Sequence, residues 1–127
     1  AVTQIDHRYD AALEAFLVSA GELRGYSTYW VAYPLAFLSG ERLVFVPRLP
    51  YHLDFRYTPR DVRYPAYDEA VAGAPRAAYI TARHPELDAR LRAAFLALGV
   101  AWKETQIGDF HVFYALSRKV TPEEIGL

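Results

Sequence analysis

A chain of 127 residues with 53% hydrophobic side chains is the size of one domain and can bury a core without staples. A net charge of −1 leaves no basic field to hold a nucleic-acid backbone, and the absence of cysteine excludes disulfides, thiolate catalysis and cysteine metal sites. No apolar run reaches the roughly 18 to 20 residues of a membrane-spanning helix; the longest, residues 29–39, carries Pro34.

The opening AVTQIDHRYD lacks the charged-then-apolar design of a signal peptide, so export would be directed from upstream of this segment. Residues 7–20 place Ala12, Leu13, Phe16 and Leu17 on one helical face, and Gly21 follows as a stop. Residues 23–26 fit a short strand. Ser27 or Thr28 then caps a helix to about residue 38, with Pro34 predicting a kink or an earlier turn. The apolar run LVFVP at 43–47 fits a strand buried on both faces. Residues 48–64 have no clean period and are expected to form a long loop, the kind that is functional or mobile. A short helix over 67–74 and a third strand, AAYIT at 77–81, follow.

Residues 84–98 give the clearest helix, with Leu87, Leu91, Ala94, Phe95 and Leu98 in one stripe and Gly99 after it. Residues 100–106 and 110–116 fit an antiparallel hairpin turning at Gly108-Asp109, and Thr121 to Glu124 resembles a capping box. Alternating strands and helices predict a single α/β domain over 1–127: a three-layer Rossmann-like sandwich with a mostly parallel sheet and a C-terminal antiparallel hairpin. Ligands of open α/β sheets bind at the carboxyl ends of the strands. The aromatic segment after the first strand and the loop after the second are therefore expected at one edge.

That edge holds the candidate ligand-binding residues. Tyr26, Tyr29 and Trp30 supply rings for the C–H faces of a sugar, and Arg48, Asp54, Arg56, Asp61 and Arg63 supply partners for its hydroxyls. The competing reading is that Tyr26, Trp30, Tyr33 and Phe37, at helical spacing, are core, and that the Arg/Tyr loop is a solvated surface. His52-x-Asp54 and Asp109-x-His111 are the only metal-like pairs, and neither has an obvious third ligand, so no metal is expected. Asp109 reads more simply as a turn residue and His111 as strand surface. Gly21, Gly25 and Gly40 form neither a dinucleotide fingerprint nor a P-loop, and Ser27, Ser39 and Ser117 lack a nucleophile-elbow context. No cofactor and no catalytic residue is assigned.

The run GYSTYWVAYPLAFLSGERLVFVP, then RYPAYDEAV and AAYIT, resembles the soluble tail of bacterial polytopic membrane glycosyltransferases similar to dolichyl-phosphate-mannose protein mannosyltransferases. The resemblance covers roughly residues 13–81. It implies a fragment of a longer membrane protein, placed on the extracytoplasmic face, whose catalytic acids lie in membrane loops outside this segment. The implied partners are the membrane portion of the parent chain and a glycan or polyprenyl-phosphate sugar, with no nucleic acid. A free-standing Rossmann-like module for a small molecule or nucleotide-sugar, and a purely structural domain, are the alternative readings.

Overall fold

The computed structural model describes residues 10–27, 42–46, 49 and 65–126. Its elements are α1 (Asp10–Ala20), β1 (Arg24–Ser27), β2 (Val44–Val46), α2 (Pro65–Ala72), β3 (Ala78–Ala82), α3 (Pro85–Ala97), β4 (Lys103–Ile107), β5 (Phe110–Tyr114) and a closing 3₁₀ turn, Pro122–Ile125. The strands form one five-stranded open sheet in the order β2-β1-β3-β5-β4. β1 pairs parallel with β2 and with β3, whereas β5 is antiparallel to both β3 and β4. Four strands therefore run one way and β5 runs against them: a mixed α/β fold with a mostly parallel sheet.

Side-chain alternation divides the core between the two faces of this sheet. On one face Tyr26, Val44, Val46, Tyr79 and Phe113 pack with Val71 of α2 and with Leu87, Leu91 and Phe95 of α3. On the other, Phe45, Ala78, Ile80, Phe110 and Val112 pack with Leu13 and Leu17 of α1. Helices on both sides explain why VFV in β2 and AYIT in β3 are buried at every position. The strands are close because Gly25 has no side chain: a Cβ there would lie 2.1 Å from the Ala78 carbonyl oxygen.

The helix ends follow from local chemistry. α1 and α3 both finish in a Schellman motif, with Gly21 (φ +74°) and Gly99 (φ +70°) in the left-handed region. Glu22 N–H bonds Leu17 O and Gly21 N–H bonds Val18 O after α1; Val100 N–H bonds Phe95 O and Gly99 N–H bonds Leu96 O after α3. At the start of α3, His84 Nδ1 accepts from Leu87 N–H, and Pro85 takes the first helical position, where no N–H is needed. Thr121 and Glu124 form the reciprocal capping box of the 3₁₀ turn.

Several boundaries differ from the sequence reading. β4 starts at Lys103 rather than at 100, because Val100 is consumed in the α3 cap and buried. β5 stops at Tyr114, since Ala115 adopts φ +53°. Leu98 is not part of the buried helical stripe: it is the C-cap of α3 and is exposed. The helix expected to about residue 38 and, apart from Leu49, the loop expected over 48–64 lie outside the described residues.

Candidate functional site: the carboxyl edge of the parallel strands

β1, β2 and β3 end at Ser27, Val46 and Ala82 on one edge of the sheet, as their parallel registers require. The chain returns to this edge after β2. Leu49 is buried, and its N–H donates to Ser27 O at 3.1 Å, pinning the beginning of the following segment over the end of β1. The chain thus leaves β1 and β2 from neighbouring points on that edge.

Of the sequence-derived ligand candidates, Tyr26 lies within the described residues. Its ring is 5% exposed and packs against Tyr79 at a centroid distance of 5.2 Å, so it belongs to the core. Tyr29, Trp30, Arg48, Asp54, Arg56, Asp61 and Arg63 lie outside the described residues, as do His52, Tyr33 and Phe37.

From the α3 side of the same edge a continuous cluster of polar side chains runs inward along the sheet, with Thr81 and His111 near the edge and Glu104 further in, opposite Phe113. Thr81, the penultimate residue of β3, donates its hydroxyl to Asp88 Oδ1 in the first turn of α3. Asp88 Oδ2 stands 3.9 Å from His111 Nδ1, and His111 Nε2 is 2.8 Å from Glu104 Oε1. A carboxylate can only accept, so that contact places the His111 proton on Nε2. Glu104 also takes three hydrogen bonds from Arg92: Nε to Oε1 and Oε2 at 3.1 and 2.9 Å, and Nη2 to Oε1 at 3.0 Å. Trp102 Nε1 donates to Glu104 Oε2 at 2.8 Å. The Arg92 guanidinium lies 5.7 Å from the centre of the Phe113 ring, which His111 flanks at 4.8 Å.

The electrostatics follow from this geometry. The Arg92 hydrogen bonds hold Glu104 down at about 2, against burial, with further help from Trp102 and His111. The same pair pushes Arg92 up. Glu104 is therefore an anion throughout the neutral range and cannot serve there as a general acid. Its role is to bind α3 to the β4–β5 pair through a bidentate Arg–carboxylate contact.

Sequence reading missed this cluster and treated His111 as strand surface. Instead its ring is mostly buried between two carboxylates. The signal was present: Asp88 and Arg92 are four apart on α3, beside the apolar stripe, while Trp102-x-Glu104 and His111-x-Phe113 share strand faces. What could not be read was the register, Glu104 opposite Phe113 and Thr81 opposite His111, that brings them together. Among the described residues, no three His, Asp or Glu side chains are grouped to hold a metal ion, and no helix is long and apolar enough to cross a membrane.

Comparison of the chain with protein-family models, with curated proteins and with solved structures finds no match.

Proposed function

We propose that this chain is a non-catalytic, extracytoplasmic domain of a membrane-embedded, polyprenyl-phosphate-sugar-dependent glycosyltransferase, whose sheet presents the segments after β1 and β2 to a glycan or acceptor. The observation that carries the reading is the parallel β1–β2 pair with Leu49 fastened to Ser27, which starts both segments from one edge. The GYSTYW run spans the end of β1 and the start of the segment after it, and the RYPAY run joins the segment after β2 to α2; the family resemblance rests on both. In the same reading the layers are a three-layer Rossmann-like sandwich, supported by α1 on one sheet face and α2 and α3 on the other. The Arg92–Glu104 cluster is then a brace that keeps the edge rigid.

The test is a nuclear magnetic resonance titration of the chain with a short-chain polyprenyl phosphate and, separately, a soluble mannoside. Saturable shifts of the Ser27, Val46 and Leu49 amides are expected with at least one of them. Shifts confined to other parts of the sheet would remove the edge from the account.

The parallel strand ends also favour a second reading, a free-standing small-molecule or nucleotide-sugar binding module. A rise in melting temperature with a nucleotide-sugar, and none with the polyprenyl phosphate, would favour it over the first.

A further inference from the structure

At the opposite edge, where β1 and β3 begin and β5 ends, a cavity of about 390 Å³ is lined by Glu22, Arg76, Ala77, Ser117, Arg118 and Lys119, among others. That volume is at the small end of the range for ligand sites. Its wall includes a buried carboxylate that is only half satisfied. Glu22 is 2% exposed, and its Oε2 accepts from Arg76 Nη2 at 2.5 Å and from Ala115 N–H at 2.8 Å. Oε1 accepts no hydrogen bond from any described residue. A buried carboxylate oxygen without a donor is costly, and native folds rarely leave one so.

The cations around it are unequally used. Lys119 is spent: its Nζ donates to Val71 O, Ala72 O and Ala74 O at 2.5, 3.0 and 2.8 Å, closing the end of α2. Arg76 is 52% exposed and, among the described residues, hydrogen-bonds only through Nη2. Arg118 likewise bonds only through Nη1, to Lys119 O and Glu124 Oε1. Two guanidinium groups with unspent N–H donors therefore share the lining with one carboxylate oxygen that needs a donor.

We propose that this cavity binds a small anion that also carries a hydroxyl group, of the class of polyol phosphate monoesters. The anionic group pairs with Arg76 and Arg118, whose planar forks suit phosphate oxygens. The hydroxyl donates to Glu22 Oε1. The Arg76–Glu22 pair then acts as a positioning contact, holding the guanidinium at the wall. The inference is independent of the function proposed for the carboxyl edge, because it concerns the other end of the strands and different residues.

Titration of the full 127-residue chain with glycerol 3-phosphate, inorganic phosphate and glycerol, followed by amide resonances, tests it. Saturable shifts at Ala77, Ala115, Leu116 and Ser117 are expected with glycerol 3-phosphate, which binds at least about tenfold more tightly than inorganic phosphate. Arg76→Gln should weaken that binding about tenfold or more while the amides of β4 stay in place. Arg118→Gln, which leaves the Glu22 pair intact, should weaken it in the same direction without touching the buried carboxylate. Equal affinity for phosphate and glycerol 3-phosphate overturns the role of Glu22. Absence of saturable shifts at these amides, or unchanged affinity in both arginine variants, overturns the site.

Discussion

Gly25 and Ala78 face each other across β1 and β3 so closely that a Cβ on Gly25 would sit 2.1 Å from the Ala78 carbonyl oxygen and 2.8 Å from its nitrogen. The Phe45 ring closes the third side at 2.5 Å. Two of these three obstacles are backbone, so no side-chain adjustment relieves the clash. Gly25→Ala is expected to cost roughly 3 kcal/mol or more, the range of overpacking in a rigid interior. Gly73→Ala is the control, since its nearest obstacle is 3.4 Å away, and it should change stability by less than about 1 kcal/mol. Urea denaturation of the two variants checks the contrast.

Glu104 sets the acid limit of the contact between α3 and the β4–β5 pair. Its folded-state value, about 2, is below the ordinary 4.5, so its contribution is fully present above the unfolded value and is lost as the pH falls through the folded one. Stability should therefore decline between about pH 4.5 and 2, by up to ~3 kcal/mol before solvent screening reduces it. Arg92→Ala removes the largest cause and should raise the Glu104 titration toward the ordinary carboxylate range, flattening this part of the curve. Carboxyl carbon shifts of Glu104 against pH in both proteins measure it.

Glu22 closes a longer loop of the fold, linking the end of α1 to the entry of β3 and the exit of β5. Glu22→Ala leaves the Ala115 N–H and one face of Arg76 without their acceptor and should cost about 2 to 4 kcal/mol. Ala115 itself holds a left-handed backbone, φ +53°, so Ala115→Gly should be neutral or stabilising by up to about 1 kcal/mol. A loss at Glu22 beside no loss at Ala115, two residues in direct contact, read by thermal denaturation, checks the assignment.

Tyr79 is fully buried, and its hydroxyl donates to Val120 O at 2.7 Å, tying β3 to the segment before the closing turn. Its ring stays packed against Tyr26 and Phe95 in a phenylalanine variant. Tyr79→Phe should therefore cost only about 1 to 2 kcal/mol, for the hydroxyl alone. Faster amide exchange near Val120 should accompany it.

Much of the fold was legible because punctuation and period agreed. Gly21 and Gly99 end their helices in the left-handed conformation expected of them, and Leu87, Leu91 and Phe95 are buried as the stripe required. LVFVP and AAYIT read as buried strands because both sheet faces are covered. The polar constellations were not legible. Arg92 meets Glu104 across a helix–strand interface, and Glu22 meets Ala115 from the far end of the chain. Such pairs depend on strand order and register, which no local pattern carries. Tyr26 shows the converse: a ring in an aromatic run offered as a ligand platform, with core as the competing reading, that alternation along β1 turns inward.

The domain is proposed to belong to a membrane-embedded transferase and to face outward from the cell. The most direct measurement uses an antibody against the domain to follow the native protein's apparent size, its fractionation and its cleavage by protease added to intact cells. The account predicts a large membrane-bound band whose antibody-reactive part is cut from outside. A small band in the soluble cytoplasmic fraction, untouched by external protease, would contradict it.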